Sequence, residues 1–421
     1  PPHRGADASY FLEAAQKELE RRAPRNWSPR PGTRVFTTMD MRDQAAAVEA
    51  VRQGLNQLER GYPRLRREKD PLEASAIVLD PLSGEVRALV GGRDFVHAPY
   101  DRATVARRQP GSLFKPIVFL AAFQKPRRAD HGYWTPATWV EDEPLAVGTG
   151  SRRWTPQNYD REFRGPVSMR QVLEQSLNVP TVRIAQELGA DRIVDAAHDL
   201  GVTSALEAVP SLALGTSEVT LLEMTNAYAT LAAGGSRHDP TLVQAVQAPG
   251  GGRVRLTVEK PKEHGVGQAE AYLVTNLLEG VIDRGTGQSA RGLGARGALA
   301  GKTGTTDDYR DAWFVGFSPV RVAGVWVGFD RGGRVGLSGS RAALPIWAAL
   351  MRAVQPPGGD GAFTRPPRIV EARIDPQSGQ LAGSRCPETV DEVFLSGTEP
   401  KDECGLHRDG FFARLKRFFS F

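Results

Sequence analysis

The segment R-R-Q-P-G-S-L-F-K-P at positions 107–116 places a serine and a lysine three residues apart, between two prolines. Three residues are nearly one helical turn, so Ser112 and Lys115 share a face if a helix begins here. Pro110 and Gly111 are typical of a turn that leads into such a helix. A single S-x-x-K pattern is a weak signal, because a capping serine followed by a solvated lysine gives the same letters. Its meaning therefore depends on the rest of the chain.

The composition excludes several classes of protein. The chain has 421 residues, of which 40% are hydrophobic and 24% charged, as expected for a folded protein of two or three domains. Lys and Arg exceed Asp and Glu by 54 to 49, but the basic residues form no stripe with aromatics, so we expect no nucleic-acid partner. No stretch approaches a membrane span, and the chain begins without Met or a signal peptide. We expect a piece of a longer protein.

The apolar pattern predicts strands at both ends of a central region, with helices between them. Strands are expected at 74–80 and 85–90, joined by the hairpin signal P-L-S-G, and again in D-A-W-F-V-G-F-S and V-A-G-V-W-V-G-F-D. Helices are expected at 117–123, 167–176, 180–188, 217–233, 270–282 and 344–354. Strands from the two ends of a domain can pair into one antiparallel sheet, with the helices to one side. The sequence therefore predicts an α+β fold.

Two further short motifs follow the serine and lysine. S-L-N at Ser176–Asn178 lies in a turn between two predicted helices, and K-T-G at Lys302–Gly304 lies on a predicted strand. S-x-x-K, S-x-N and K-T-G, in this order, are the signature of penicillin-binding proteins and β-lactamases. Each motif is weak by itself, whereas the ordered set of three is a strong signal.

Around these motifs the chain resembles the transpeptidase domain of the bifunctional class A penicillin-binding proteins. The likeness covers about residues 70–355 and includes W-T-P-Q-N-Y, S-L-N-V-P, A-L-G-T-S-E-V-T-L-L-E-M, R-G-T-G and G-K-T-G-T-T. It implies the penicillin-binding/β-lactamase-like transpeptidase fold, an antiparallel sheet flanked by helices with a helical block beside it. Leu177 stands where the β-lactamase motif has Asp, whereas Ser176 and Asn178 are both kept.

The resemblance also divides the chain into three parts. Residues 1–70 resemble the end of an upstream glycosyltransferase region with its linker, and residues 71–356 resemble the penicillin-binding transpeptidase domain. Residues 357–421 form a small C-terminal extension. The glycosyltransferase domain of the family and its membrane anchor are not in this sequence, so a peptidoglycan glycosyltransferase activity is expected only of the full-length protein.

The three motifs suit acyl transfer through a serine. The hydroxyl of Ser112 is a poor nucleophile until a base takes its proton, and none of the 7 histidines lies in the motifs. Lys115 is the predicted base, because desolvation and a second cation, Lys302, both favour a neutral amine. Ser176 would pass a proton to the leaving amine, and Asn178 would hold the base and the substrate amide by hydrogen bonds.

The K-T-G strand is the predicted substrate-binding element. Lys302, Thr303 and Thr305 are expected to bind the terminal carboxylate of a peptide, and Gly304 is expected to leave room for that peptide along the strand edge. The resemblance implies an oxyanion hole formed by the backbone N–H groups of Ser112 and Thr305. We expect no cofactor and no metal ion.

The resemblance implies a D,D-transpeptidase that cross-links peptidoglycan in the periplasm, on the extracytoplasmic face of the bacterial cytoplasmic membrane. Ser112 would attack the carbonyl between the two terminal D-alanines of a stem peptide, and an amine of a second stem would resolve the acyl-enzyme. The implied partners are stem peptides, lipid-linked precursors, β-lactam antibiotics, cell-wall synthesis regulators, and the membrane through the missing N-terminal anchor.

Other functions use the same fold. With water as the acceptor the protein would be a D,D-carboxypeptidase or a β-lactamase, but no glutamate signature for activating water is recognised between Asn178 and Lys302. A non-catalytic penicillin-recognising sensor is the third alternative, and it has no need of Lys115. Slow decay of a penicillin adduct would support a penicillin-binding protein, whereas rapid turnover would support a β-lactamase.

Three features outside the motifs leave alternatives open. Cys386 and Cys404 lie 18 positions apart, and an exported protein is expected to join them in a disulfide, with free thiols or a zinc site as alternatives. Zinc would use His407 of C-G-L-H, but no fourth ligand follows at a suitable spacing.

R-G-T-G at 284–287 either lines the site or only caps a helix. F-F-A-R-L-K-R-F-F at 411–419 either rests on a membrane surface or is disordered.

Overall fold

The computed structural model describes eight ranges of the chain, namely residues 6–23, 29–125, 127–129, 132–148, 153–250, 253–255, 265–356 and 361–407. Its helices are α1 (Ser9–Arg22), α2 (Met41–Gly61), α3 (Lys115–Gln124), α4 (Met169–Glu174), α5 (Val179–Leu188), α6 (Ala190–Asp199), α7 (Leu221–Ala232), α8 (Gln268–Asp283), α9 (Ser289–Gly292) and α10 (Gly339–Val354). Within these ranges no helix combines the length and the apolar character needed to cross a membrane.

The strands fall into four small or medium sheets. They are β1 (Arg34–Thr37), β2 (Glu73–Leu79), β3 (Val86–Val90), β4 (Trp139–Asp142), β5 (Gly165–Ser168), β6 (Val243–Gln247), β7 (Arg253–Arg255), β8 (Ala300–Thr305), β9 (Ala312–Phe317), β10 (Val322–Gly328), β11 (Ile369–Ile374) and β12 (Val390–Leu395). The five-stranded sheet has the order β3-β2-β10-β9-β8, and all its pairs are antiparallel. Pairing of β2 with β10 joins the early and late strands, as the sequence predicted.

Helices cover both faces of the five-stranded sheet. In β2, Ala76 and Val78 pack into the cluster that contains α2 and α10, whereas Ile77 and Leu79 pack into the cluster that contains α3, α7 and α8. Every residue of β2 and β10 is buried. The expectation of helices on one side only is therefore wrong, because strands that are apolar on both faces need cover on both.

The N-terminal segment takes part in the same packed core. Strand β1 pairs with β6, with Arg34 opposite Gln247, and α2 packs against α10 and the sheet. A side chain at Gly54 of α2 would collide with Ile346 of α10, so these two helices lie unusually close. Residues 34–61, which were assigned to an upstream linker, thus supply one layer of the fold around the central sheet.

Local capping sets where helix α4 begins. A helix was predicted at 167–176, but Val167 belongs to β5, where it pairs with β4. Ser168 then forms a capping box with Gln171, which satisfies the first backbone N–H groups and starts the helix at Met169. Helix α4 ends before the S-L-N motif, so that motif lies in the turn between α4 and α5.

The C-terminal extension contains β11 and β12, which pair antiparallel from Ile369 opposite Leu395 to Ile374 opposite Val390. A fork of hydrogen bonds attaches this pair to α4, because Arg170 donates to both carboxylate oxygens of Glu392 at 2.6 and 2.5 Å. The aromatic tail at 411–419 lies outside the described residues, so neither interpretation of it is tested.

The P-G turn and the edge strand β8 touch through glycine. The segment Gly111–Phe114 forms a 3₁₀ turn that leads into α3, and Gly111 has a φ of +57°. A Cβ at Gly111 would lie closer to the Thr305 carbonyl than the 3.0 Å that real Cβ atoms keep, and one at Gly304 would lie 2.6 Å from the Pro110 oxygen. Gly304 was expected to give a substrate peptide room, but the structure points its missing side chain at the P-G turn.

We therefore predict that Gly304→Ala destabilises the fold, by about 1–3 kcal/mol, because the added methyl group overpacks a backbone contact. Gly61→Ala is the matched control, since a Cβ at Gly61 meets nothing within 4 Å. That control should leave stability unchanged or slightly higher. Urea unfolding of both variants measures the difference, and equal midpoints would show that the contact at Gly304 is not tight.

Candidate active site

The three sequence motifs meet at one cavity of about 910 Å³ beside β8. The predicted site residues that line it are Ser112, Ser176, Asn178, Thr303 and Thr305. Lys115, Lys302 and Gly304 lie behind this lining, and both lysines are fully buried. Residues that are separated by up to 193 positions in the chain are thus brought to one place, counted from Ser112 to Thr305.

Lys115 is held by the S-L-N turn. Its Nζ donates to the carbonyl oxygens of Ser176 at 2.6 Å and Leu177 at 3.0 Å, and to Asn178 Oδ1 at 2.7 Å. These three oxygens only accept, so they favour an amine that carries three protons. Burial and the nearby charge of Lys302 act in the opposite direction and lower the pKa of Lys115 well below its ordinary value. The hydrogen bonds thus favour the charged form of Lys115, whereas burial and the charge of Lys302 favour its neutral form.

Lys302 points at the same turn from the strand side. Its Nζ donates to Ser176 Oγ at 2.8 Å and lies 3.3 Å from the Thr303 carbonyl oxygen. Burial lowers the pKa of Lys302 to about 7. From its place in the K-T-G motif, this amine was predicted to attract the terminal carboxylate of a peptide together with Thr303 and Thr305. Because the amine is buried behind Ser176, its charge reaches the cavity through the serine hydroxyl and through Thr303.

Ser176 connects the two amines. Its Oγ lies 2.8 Å from Lys302 Nζ and 3.3 Å from Lys115 Nζ. Its backbone has a φ of +59°, a left-handed conformation that costs a non-glycine residue about 1 kcal/mol. Since a hydroxyl both donates and accepts, Ser176 can pass a proton between either amine and the cavity.

Ser112 and Lys115 occupy successive parts of one turn, as their spacing predicted. Ser112 is half-buried in the 3₁₀ turn, and Lys115 is the first residue of α3. In the described part of the chain, the hydrogen bonds of Lys115 Nζ go to residues 176–178 and not to Ser112 Oγ. Catalytic hydrogen bonds often form only when substrate is bound. This geometry without substrate is therefore compatible with transfer of the Ser112 proton to Lys115 either directly or through Ser176.

A buried Asp–Asn pair positions the S-L-N turn, and the sequence analysis did not identify it as part of the site. Asn158 Nδ2 donates to both oxygens of Asp142, at 2.7 and 2.9 Å. Its Oδ1 accepts from the backbone N–H groups of Asn178 at 2.9 Å and Val179 at 3.2 Å. Asp142 is fully buried. The only sequence signal was the asparagine of W-T-P-Q-N-Y, which has no link to Asp142 in spacing.

The R-G-T-G segment lines the cavity in addition to ending α8, so it is more than a helix cap. It follows directly after α8 ends at Asp283, and Arg284 is the C-cap residue. Thr286 also lines the cavity, with its hydroxyl oxygen 3.1 Å from that of Thr303. Tyr159 and Tyr309 line another part of the cavity with their rings 5.5 Å apart, and neither was predicted.

The Asp142–Asn158 pair allows a charge-exchange test. Asn158→Asp would place two carboxylates in contact in a buried site, so we expect a loss of stability of about 3 kcal/mol and a slower reaction of Ser112. In the double variant Asp142→Asn, Asn158→Asp, one carboxylate again faces one amide, and at least half of the loss should be recovered. Thermal unfolding of the wild type, the two single variants Asp142→Asn and Asn158→Asp, and the double variant measures the coupling between the two residues. Additive losses of stability would contradict that coupling.

The sequence comparisons identify two family segments. Residues 74–351 match the penicillin binding protein transpeptidase domain, and residues 365–409 match the C-terminal domain of penicillin-binding protein 1A. Penicillin-binding protein 2D of Bacillus subtilis is 32% identical over 411 residues, which are 94% of this chain and 56% of that protein. Penicillin-binding protein 1A of Aquifex aeolicus is 36% identical over 336 residues, 79% of this chain and 45% of that protein. The chain thus spans about half the length of these curated relatives.

A solved structure gives the same assignment. The PonA1 protein from Mycobacterium tuberculosis, solved in complex with penicillin V, has a TM-score of 0.69 and 26% sequence identity. The likeness covers 86% of this chain and 99% of that structure. The three motifs, the antiparallel sheet and the matched segment of more than half the chain agree, and the chain belongs to the penicillin-binding protein transpeptidase family, in its class A branch.

Proposed function

We propose that this chain is a peptidoglycan D,D-transpeptidase that works through an acyl-enzyme on Ser112. The observation that carries the proposal is the meeting of two buried lysine amines at Ser176 Oγ, beside the cavity that Ser112 lines. Two ammonium groups cannot comfortably share one hydroxyl in a buried site, so the pair gives up a proton near neutral pH. A neutral amine beside a serine nucleophile is what acyl transfer requires.

In the first half of the reaction, Ser112 Oγ attacks the carbonyl between the two terminal D-alanines of a stem peptide. Lys115, in its neutral form, takes the hydroxyl proton once its Nζ leaves one acceptor of the S-L-N turn. The C–N bond then breaks as Ser176 gives its proton to the leaving amine and takes the proton held by Lys115, and D-alanine departs. Lys115 is then neutral again. An ester remains on Ser112.

In the second half, the amine of another stem peptide attacks this ester. Its proton returns through Lys115 to Ser112 Oγ, and the new amide is the cross-link. The backbone N–H groups of Ser112 and Thr305 stabilise the oxyanion in both halves. The close approach of Gly111 to the Thr305 carbonyl supports this role, because it holds the two backbone segments side by side.

Threonine hydroxyls recognise the substrate carboxylate in this scheme. Thr305 Oγ1 accepts a hydrogen bond from the backbone N–H of Gly339 at 3.0 Å, so its own proton is available to donate into the cavity. Thr303 Oγ1 lies beside Thr286 Oγ1 and within 3.5 Å of Lys302 Nζ. The buried charge of Lys302 therefore strengthens the Thr303 hydroxyl as a donor.

The substrate sets where the domain works. Stem peptides are cross-linked outside the cytoplasmic membrane, so we assign this domain to the periplasmic, extracytoplasmic face of the bacterial cytoplasmic membrane. The full-length protein would add a glycosyltransferase domain, act on lipid-linked precursors and carry a membrane anchor. Its assembly with cell-wall synthesis regulators is part of the same proposal. Acylation by β-lactams is supported by the penicillin V complex of PonA1.

The direct test is covalent labelling with penicillin. Intact-mass spectrometry should find one penicillin on the wild-type chain and none on Ser112→Ala, because no other serine of the sequence has a lysine three residues later. Ser83→Ala, an exposed residue of the β2–β3 turn, is the control and should label normally. An adduct on Ser112→Ala would refute the nucleophile, and rapid turnover of the wild-type adduct would indicate a β-lactamase.

The two lysines predict a pH profile. Burial and the charge of Lys302 lower the pKa of Lys115, so its neutral form is lost only well below the usual pH range of a lysine. The second-order rate of penicillin acylation should therefore rise with pH as Lys115 loses its proton. It should fall again near pH 7, because the pKa of Lys302 is about 7 and its charge beside Ser176 is lost there. Lys115→Arg cannot lose its proton and should react slowly at every pH.

Lys302→Arg is the matched comparison for this profile. It keeps a positive charge beside Ser176 and should retain part of the rate, with a loss of roughly 10- to 100-fold, about 1.4–2.8 kcal/mol of barrier. Circular dichroism checks that both variants fold. If Lys115→Arg shows the wild-type pH rise, or reacts as fast as Lys302→Arg, Lys115 is not the base.

A further inference from the structure

The C-terminal extension contains two long loops that have little apolar support. Apart from isolated bridges, the described residues 375–389 and 396–407 form no helix or strand. One small buried cluster of the extension consists of Ala137, Ile374 and Phe394, and its strands also contribute Ile369, Val393 and Leu395 to the main core. Small units with so little core are usually held by a disulfide or a metal ion.

Four polar side chains from three different parts of these loops converge on one point. Asp375 follows β11, Cys386 lies in the loop between the strands, and Cys404 and His407 follow β12. Their ligand atoms all lie within 4.8 Å of one another. Both cysteines are free thiols in the structure, so the disulfide expected from the sequence is not present there.

The distances within the cluster suit a metal ion. Asp375 Oδ2 lies 2.6 Å from Cys404 Sγ, 3.8 Å from Cys386 Sγ and 2.9 Å from His407 Nδ1. Cys404 Sγ lies 3.3 Å from His407 Nδ1. Zinc bonds of about 2.0–2.3 Å to N, O and S ligands place tetrahedral ligand atoms about 3.3–3.8 Å apart. Widening the Asp375–Cys404 contact of 2.6 Å and closing the widest pair, each by up to about 1 Å, would give such a tetrahedron.

The surroundings hold these ligands in place. Asp375 uses its other oxygen, Oδ1, to accept from the Gln377 backbone N–H at 2.8 Å, which leaves Oδ2 aimed at the cluster. The Gly383 backbone N–H donates to Cys386 Sγ at 3.3 Å, a contact that stabilises sulfur as a thiolate. The Leu381 carbonyl accepts from the Cys404 N–H at 2.8 Å and the Leu381 N–H donates to the Asp402 carbonyl at 3.0 Å, which aligns two of the three segments.

Burial adds a further argument. Asp375 and Cys404 are 1% and 3% exposed. A carboxylate at such depth is normally paired or bound to a metal. The set consists of two sulfurs, one imidazole and one carboxylate, and the side chains of Asp375 and Cys404 are shielded from solvent. Such a set is typical of a structural site and suits zinc best.

We propose that Asp375, Cys386, Cys404 and His407 bind one structural Zn²⁺ ion that ties together the loops of the C-terminal extension. The two thiols lose their protons as the ion binds, and the imidazole is neutral. No fourth ligand follows His407 in the sequence, and in this proposal the fourth ligand, Asp375, precedes both cysteines.

The test measures metal and thiols in the same material. The full chain is purified without chelator or added reductant and analysed by elemental mass spectrometry, and its thiols are counted after denaturation. We expect about one zinc per chain and two free thiols. Replacement of zinc by Co²⁺ should give sulfur-to-cobalt charge-transfer bands and the visible bands of a tetrahedral ion.

Two variants and a control decide the assignment. Cys404→Ser and Asp375→Ala should each lower the affinity for zinc by at least about 10-fold, measured by competition with a chromogenic chelator. Asp391→Asn, an exposed acid on β12 that pairs with Arg373, should bind zinc like the wild type.

Three results would overturn the proposal. The first is zinc-free protein with two free thiols that fails to take up Zn²⁺ or Co²⁺. The second is a chain lighter by two hydrogens, with no free thiol, which would mean a Cys386–Cys404 disulfide. The third is zinc retained at the wild-type affinity by Cys404→Ser, which would place the ion elsewhere. Circular dichroism on every variant separates loss of zinc from loss of fold.

Discussion

The site depends on two buried lysine amines that share one serine hydroxyl. Removing an ammonium group from water is costly, and a second one a few ångströms away increases that cost. The fold offsets the cost at Lys115 with three acceptor oxygens and at Lys302 with the Ser176 hydroxyl. The part of the burial cost that is not offset lowers the pKa of each lysine, and this would make one of the two amines available as the base of the proposed reaction without help from histidine.

The turn that supplies these acceptors is itself held from several directions. Ser176 adopts a left-handed backbone, and the Asn158 side chain fixes the two residues that follow the motif's leucine. On the other side, Arg170 of α4 joins Glu392 of the C-terminal extension. Because α4 ends just before the motif, the position of this short helix depends on both the transpeptidase core and the extension. A turn restrained at both ends can keep an unfavourable backbone conformation.

Local spacing in the sequence was enough to predict part of this arrangement. The three-residue step from Ser112 to Lys115 reflects helical geometry, and the apolar runs at both ends of the domain predicted that early and late strands pair in one antiparallel sheet. Contacts that depend on how distant segments pack could not be read in this way. Examples are the Asp142–Asn158 pair, the fourth cluster residue Asp375, and the burial of Lys302 behind Ser176. In each case neither partner has a characteristic spacing from the other.

Gly304 shows the same limit from the opposite side. Glycine on an edge strand suggests room for a ligand, yet here it admits the oxygen of Pro110 at a distance that no Cβ would allow. The P-G turn thereby covers part of the edge of β8, which has no partner strand beyond it among the described residues. An uncovered strand edge invites unwanted pairing. Close packing at Gly304 and Gly111 limits the open edge to the stretch where Thr303 and Thr305 line the cavity, which is where an extended substrate peptide can pair with the strand.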